Sequence, residues 1–301
     1  MPRQTKTFLL ERFREMGIRP ATRHGQNFLI DLNLVDLIVD AADLTRDDVV
    51  LEVGTGTGSL TAMMAERASA VVTVEIDAHL FELASEQLID LPNVTMLQLD
   101  ALRNKNNLDD RVMDALGEHL DAAPSRRLKL VANLPYNIAT PVLSNLLLAR
   151  HVPYSMTVTI QKELADRITA SPSTKDYSAL SVWIQSQCDA EIVRVMPPSV
   201  FWPAPKVESA ILRIHVDPAK RGRIRDLPFF HQITKALFLH RRKFLRANVV
   251  AAMKQHLNKS QVDKLLDEMG FAADTRTEQL DVGTLIKLAE KIQAAAPEWR
   301  L

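Results

Sequence analysis

Leu51-Glu52-Val53-Gly54-Thr55-Gly56-Thr57-Gly58 closes a short apolar run, Val49 to Val53, with three glycines spaced two residues apart. Such a run is the mark of a parallel strand buried on both faces. Glycines at its end let the backbone bend sharply and approach a ligand closely. A dinucleotide fingerprint wants its third glycine at the position of Ser59, but Gly58 stands one step early. So tight a loop suits a ligand without a pyrophosphate. On either side the chain alternates. A helix is expected over Leu60 to Arg67, a strand over Ala70 to Val74, a helix over Ala78 to Leu88 and a strand over Val94 to Leu99. Leu128 to Ala132 is a fourth strand, followed by a helix over Pro141 to Ala149. Further strands are expected at Met156 to Ile160, Glu191 to Val195 and Ser209 to Val216. Strand–helix alternation at this spacing calls for a doubly wound α/β sheet. Ahead of it, a helix is expected from about Thr5 to Met16, stopped by Gly17 and Pro20, and a second one N-capped by Asp31.

Three of these strands end in chemistry. Glu75 closes the second strand, where a carboxylate can accept both ribose hydroxyls of an adenosine moiety. Asp100 ends the third, placed to take a hydrogen bond from the adenine amine. Asn133-Leu134-Pro135-Tyr136 ends the fourth. An exocyclic adenine amine is a poor nucleophile, because its lone pair is delocalised into the ring. Two neutral acceptors aimed at its N–H groups, the Asn133 side-chain oxygen and the Leu134 carbonyl, would hold it in line and favour rehybridisation. Pro135 keeps the residue before it extended, which fixes where that carbonyl points, and Tyr136 can stack on the base. Phe201-Trp202-Pro203-Ala204-Pro205-Lys206 is a stiffened aromatic loop, from which Phe201 or Trp202 could cover the other face of a base.

With 301 residues, 47% apolar and 25% charged, the chain has room for one large domain and one small one. No stretch approaches the ~18 apolar residues of a membrane span, and the charged N-terminus has no apolar core of a secretory signal. Cys188 is the only cysteine, which excludes an intrachain disulfide and a cysteine zinc cluster and fits a reducing cytoplasm. Formal net charge is zero, yet ten basic residues between Lys220 and Lys254 are opposed only by Asp226. Such unevenness suits a localised contact with a polyanion. Asp217 to Asp226 reads as a linker, and helical segments are expected beyond it near Phe229–Leu239, Arg241–Lys254, Gln261–Met269 and Val282–Ala294. The division expected is thus residues 1–217 for the α/β domain and 218–301 for a helical one. Nothing demands more than a monomer.

These residues together resemble the ribosomal RNA adenine dimethyltransferase family, in particular its small-subunit (KsgA-type) branch. The resemblance runs from about Ile18 to Ala289. Gly25-Gln26-Asn27-Phe28-Leu29 is similar to the family's opening motif, in which the Asn and the Leu help enclose the cofactor; Gly54, Glu75, Asp100 and Asn133 fall on its other cofactor positions. Asn133 to Pro141 resembles its catalytic loop and Phe201 to Ala210 its second aromatic motif. Asp176 to Val182 and Phe238 to Arg246 are similar to later signatures. The resemblance implies a Rossmann-like class I methyltransferase domain with a seven-stranded, mostly parallel sheet, S-adenosyl-L-methionine as cofactor, no metal, and 16S RNA of the small ribosomal subunit as substrate. Two adjacent dimethyladenosines near its 3′ end would be the product, made late in assembly, with Arg221, Arg223, Arg241, Arg242, Lys243 and Arg246 gripping the RNA. Thr55 stands where the family often has proline, Ala139 where it often has serine, and His24 in place of a small or aliphatic residue. The stretch between Asp100 and Asn133 is longer than usual, so a helix around Leu108–Leu120 is expected as a surface addition.

Competing readings are a large-subunit enzyme of the macrolide-resistance type, a non-catalytic assembly or transcription factor, a DNA adenine methyltransferase and a nicotinamide enzyme. Leu134, Pro141 and Gly25 lean away from the first, and intact Asn133, Tyr136, Glu75 and Asp100 from the second. The basic helical tail has no role in the third, and the glycine spacing disfavours the fourth.

Overall fold

The computed structural model describes residues 6–15, 27–241 and 243–298, which fall into two compact units. The first is the chain up to Ala165 with Glu191–His215; the second is Asp166–Ala190 with the chain from Val216. Gly17, Pro20, His24, Gly25 and Arg242 lie outside the described residues.

The first unit begins with α1 (Lys6–Glu15), β1 (Phe28–Leu29) and α2 (Leu32–Ala41). Asp31 caps α2 as expected, accepting from the Asn33 N–H. The alternation continues as β2 (Asp48–Val53), α3 (Ser59–Ala65), β3 (Ala70–Glu75), α4 (Ala78–Leu88) and β4 (Val94–Gln98). A small hairpin, β5 (Leu102–Asn104) with β6 (Asn107–Leu108), leads into α5 (Asp110–Leu120). Then come β7 (Arg127–Asn133), α6 (Ala139–Leu146), β8 (Ser155–Gln161) and α7 (Lys162–Thr169), which from Asp166 onward belongs to the second unit, as does α8 (Ala179–Gln185). The last strands are β9 (Cys188–Met196), β10 (Phe201–Trp202) and β11 (Ser209–Val216).

Seven strands form one sheet in the order β4-β3-β2-β7-β8-β11-β9. β2 is parallel to both β3 and β7, and β7 to β8, while β11 runs antiparallel to β8. The strand order reverses at β2, so a crevice opens at the carboxyl ends of β2 and β7, the place where doubly wound sheets bind ligands. Val35, Ile38 and Met64 from α2 and α3 pack on Val50, Val71, Val131 and Ile211 of the sheet. At the far ends of the strands Asp48 is fully buried between Arg127 Nε (2.7 Å) and Lys129 Nζ (3.0 Å). Burial pushes its carboxyl upward, but Arg127, the Thr45 N–H and Lys129 together hold it below the usual carboxylate range.

The helix expected as a surface addition is part of this frame. Asp109 caps α5, whose Val112, Met113, Leu116 and Gly117 are buried against β2, β3 and β7. Its length is that of a crossover connection between two parallel strands, β4 and β7.

The second unit gathers α9 (Pro218–Arg221), α10 (Leu227–Phe238), α11 (Leu245–Ala252), α12 (Lys259–Glu268) and α13 (Val282–Ala295). The expected linker therefore holds a helical turn, α9, capped by Asp217. The linear division at 217/218 also misses Asp166–Ala190, which belongs with the helices. Tyr177 and Trp183 explain why. Both are buried, Tyr177 against Phe238 with its hydroxyl donating to the Leu280 carbonyl (3.1 Å), Trp183 against Phe230 and His231. α11 starts at Leu245 rather than Arg241, because Phe244 is extended and bridges to Arg276. Among the described residues no helix is long and apolar enough to cross a membrane.

Candidate active site

A cavity of about 370 Å³ lies at the carboxyl ends of β2, β3, β4 and β7 and is lined by first-unit residues alone. Its floor is the glycine loop. Gly54, Gly56 and Gly58 all have positive φ (87°, 57° and 80°), which L side chains rarely adopt. A Cβ on Gly54 would also sit 3.3 Å from Pro135 Cδ, so the glycine loop and the Asn133–Tyr136 loop are packed directly on one another.

Glu75 is 5% exposed at the end of β3. Its carboxylate accepts from the Gly56 N–H (2.9 Å) and the Asp77 N–H (3.0 Å), which fixes its direction and leaves lone pairs towards the cavity. Burial raises its pKa, although those two N–H groups favour the ionised form. Asp100 lies past β4, exposed on the cavity wall, and accepts from the Leu102 N–H (2.9 Å). Ile76, next to Glu75, is 51% exposed on the same wall and offers an apolar face for a flat ring. Asn27 and Leu29 line the cavity from the segment around β1, which pairs with β10 through Phe28↔Trp202 and Leu29↔Phe201.

Asn133, Leu134, Pro135 and Tyr136, the loop read from the sequence as catalytic, all line this cavity. Asn133 donates its side-chain N–H to the Asn27 carbonyl (2.9 Å), so Oδ1 is the amide atom left to accept. The buried Leu134 is held to β8 by its N–H on the Thr159 carbonyl (3.1 Å). Tyr136 is half-buried, with its hydroxyl fixed to Ser209 Oγ at 2.6 Å. Burial raises its pKa, so it stays a neutral phenol.

Two expectations change. Phe201 does not line the cavity: it is 2% exposed within the cluster of Val35, Ile38, Val39 and Ile211. The β1–β10 pairing turns it into the core, while Trp202 packs on Phe13 (5.5 Å). An aromatic between prolines here completes the packing of a sheet edge, and Tyr136 is the aromatic ring in the described catalytic loop. The second change concerns the basic cluster, whose surplus acids from elsewhere in the second unit largely offset. Arg241 binds Glu278 and the carbonyls of Thr174 and Lys175; Arg246 forms a two-pronged pair with Asp263. Arg221 binds Gln187, Lys220 binds Asp189, and Arg225 lies 3.3 Å from Glu290. Arg223 and Lys243 are exposed. Counting along the chain cannot see acids delivered by the fold.

Glu52 has no counterpart among the expected site residues. It lies in β2 on the cavity wall, 1% exposed, accepting from Thr61 Oγ1 (2.5 Å) and Thr73 Oγ1 (2.7 Å). Burial pushes its pKa up to about 8, with the charge of Glu75 adding to the effect. At neutral pH Glu52 is therefore a protonated acid in the wall beside Glu75. The signal in the sequence was a single acid inside an otherwise apolar strand.

The seven-stranded, mostly parallel sheet, with a switch-point cavity over a glycine loop, a strand-end acid and an amide-led loop, is that of a Rossmann-like class I methyltransferase. The chain belongs to the ribosomal RNA adenine dimethylase family, which it matches over residues 19–294. It is 36% identical over 277 residues to the ribosomal RNA small subunit methyltransferase A of Clostridium acetobutylicum, covering 92% of this chain and 95% of that one. With the protein of the same description from Streptococcus pneumoniae it shares 38% identity over 273 residues, 89% and 90% of the two chains. In fold it is similar to a dimethyladenosine transferase from Plasmodium falciparum, with a TM-score of 0.70, 22% identity and coverage of 88% and 97%. The 23S rRNA methyltransferase ErmE is similar in fold too, with a TM-score of 0.60, 24% identity and coverage of 89% and 100%.

Proposed function

We propose that the protein uses S-adenosyl-L-methionine to dimethylate the N6 amines of two adjacent adenosines near the 3′ end of 16S ribosomal RNA. It would act as a cytoplasmic monomer on the small subunit, late in assembly. The observation that carries this reading is the Asn27–Asn133 hydrogen bond, which leaves Oδ1 as an oriented acceptor beside the cavity.

The cavity fits the cofactor by its donor set. Glu75 is a buried carboxylate aimed by two backbone N–H groups and suited to a ribose diol, Asp100 takes the adenine amine, and Ile76 lies against the ring. Gly54, at positive φ and with Pro135 Cδ 3.3 Å from where a Cβ would lie, keeps the loop bare there, and Asn27, Leu29 and Asn133, which line the same cavity, would hold the amino-acid arm. Bound there, the cofactor would supply an electrophilic methyl group on a sulfonium, with a neutral thioether as leaving group and water to take the proton that the amine loses. Asn133 Oδ1 and the Leu134 carbonyl accept from the target amine and draw it towards tetrahedral geometry. Pro135 holds that carbonyl in place, Tyr136 stacks on the base, and Phe201 supports the loops from the core. In the second unit, Arg223 and Lys243 are the exposed phosphate contacts. Arg221, Arg241 and Arg246 stabilise the surface that presents them, and Arg242 is an expected further contact.

The identity to small-subunit methyltransferases along about nine-tenths of the chain supports the 16S substrate over a large-subunit one, for which the similarity is of fold alone. The test is methyl transfer from labelled S-adenosyl-L-methionine to small subunits lacking the modification, with large subunits in parallel. Dimethyladenosine in small-subunit RNA alone is the expected result. Label in the large subunit would move the substrate, and no label with cofactor still bound would leave an assembly factor.

A further inference from the structure

The second unit holds a cavity of about 450 Å³ lined by Ser173, Phe244, Asp274, Arg276, Glu278 and Gln279. Phe244 is 46% exposed, and the guanidinium of Arg276 lies over its ring, 5.7 Å from the centroid. Neither side chain is on a loose tip. The Phe244 backbone bridges to Arg276, the Leu245 N–H donates to the Thr275 carbonyl (2.7 Å), and the Arg276 N–H donates to Gln279 Oε1 (2.7 Å). On the opposite wall the Ser173 N–H donates to the Glu278 carbonyl (2.8 Å). A large aromatic ring is thus clamped in a rigid backbone frame, yet presented to solvent beside a cavity rather than folded into the core.

We propose that the Phe244–Arg276 pair and this cavity form a stacking seat for an unpaired nucleotide base of the ribosomal RNA, a base other than the one methylated. The inference rests on the proposed RNA substrate. The chemistry of the wall selects the occupant. Of the six lining residues only Phe244 is apolar, so a hydrophobic protein anchor would lose more hydration than it gained. A phosphate would face the carboxylates of Asp274 and Glu278, so the seat takes an uncharged group. A flat aromatic and a stacked guanidinium accept any base face, and the exposed Lys243, next in the chain to Phe244, can meet the phosphate that accompanies it. Glu278 is occupied by Arg241, which leaves Asp274 as the exposed carboxylate. Carboxylates only accept hydrogen bonds, so a base edge with adjacent N–H donors, as in guanine, matches it best.

The test is the affinity of the full-length protein for small subunits lacking the modification, across a salt series, for wild type, Phe244→Ala, Phe244→Trp and Lys243→Glu. Thermal unfolding of each variant confirms that it folds. Stacking on an aromatic side chain makes Phe244→Ala weaker by roughly tenfold with an unchanged salt slope, because no phosphate contact is lost. Phe244→Trp regains the affinity, while Lys243→Glu flattens the slope. Replacing Phe244 by the photoreactive p-benzoylphenylalanine and irradiating the complex identifies the occupant directly. A nucleotide adduct supports the seat, and a peptide adduct overturns it. Unchanged affinity in Phe244→Ala also overturns it, while methyl transfer by the same wild-type preparation keeps the functional reading standing. Failure of the wild type to bind or methylate small subunits overturns both.

Discussion

Replacing Glu52 by glutamine keeps the shape of the side chain and removes its titrating proton. In the folded chain that proton is held until about pH 8, against an ordinary value of 4.5. Below pH 4.5 the group is protonated whether the chain is folded or not, and it favours neither state by charge. As pH rises, the unfolded chain gains by ionising while the folded chain does not. Stability therefore falls until the folded group ionises near pH 8, and is constant beyond it. At about 1.4 kcal/mol per pH unit the difference amounts to about 5 kcal/mol, a large share of the stability of a typical domain. Glutamine can still accept from both Thr61 and Thr73 with its oxygen in the place of Oε2, so its cost is that of fitting an NH₂ where Oε1 lies, about 1 kcal/mol and independent of pH. The variant is therefore slightly less stable than wild type at pH 4.5 and more stable at pH 8. The assay is hydrogen exchange of the β2 amides in both proteins from pH 4.5 to 8.5, which reads the first unit by itself. His231 gives an opposite slope in the second unit, because burial and Lys235 lower its pKa to about 4; subtracting wild type from variant removes it. A difference curve that stays flat over this range refutes the buried, protonated Glu52.

Asn133→Ala removes the oriented acceptor and should lower methyl transfer by about 10²- to 10³-fold while leaving affinity for small subunits within a few-fold; unchanged turnover in a labelled-methyl assay rules out its role. Gly54→Ala places a side chain at φ 87° and 3.3 Å from Pro135, so cofactor affinity by calorimetry should drop together with turnover, and thermal stability by about 1–2 kcal/mol. Arg223→Glu with Lys243→Glu should weaken subunit binding and flatten its dependence on salt. Arg241→Glu should instead lower the melting temperature of the second unit, since it breaks the contacts to Glu278, Thr174 and Lys175. If Arg241 on the one hand and the exposed Arg223 and Lys243 on the other behave alike in both assays, the distinction between them is wrong.

The strand ends were legible because buried parallel strands are short apolar runs, and the polar or glycine residues that terminate each run stand out against it. Gly54, Glu75, Asp100 and Asn133 all line one cavity for that reason. What escaped the sequence was whatever depends on which surface meets which. α5 reads as amphipathic either as an addition or as a sheet cover, and only its place between β4 and β7 decides. Tyr177 and Trp183 carry no mark of the helices they join. Arg241 and Arg246 look like free cations until Glu278 and Asp263 arrive beside them. Phe201 between prolines fits a base cap and a core plug equally well, and the two-residue pairing with β1 chose the plug.

That pairing also sets an order of events. Asn27 orients Asn133, and Asn27 is itself positioned by a ladder whose second strand, Phe201–Trp202, is synthesised long after the glycine loop and the catalytic loop. A nascent chain stopped before Phe201 lacks the clasp that pairs with the segment around Phe28. Contacts so far apart in the chain form slowly, so the segment that carries Asn27 can be fixed over the cavity only after synthesis has passed Trp202.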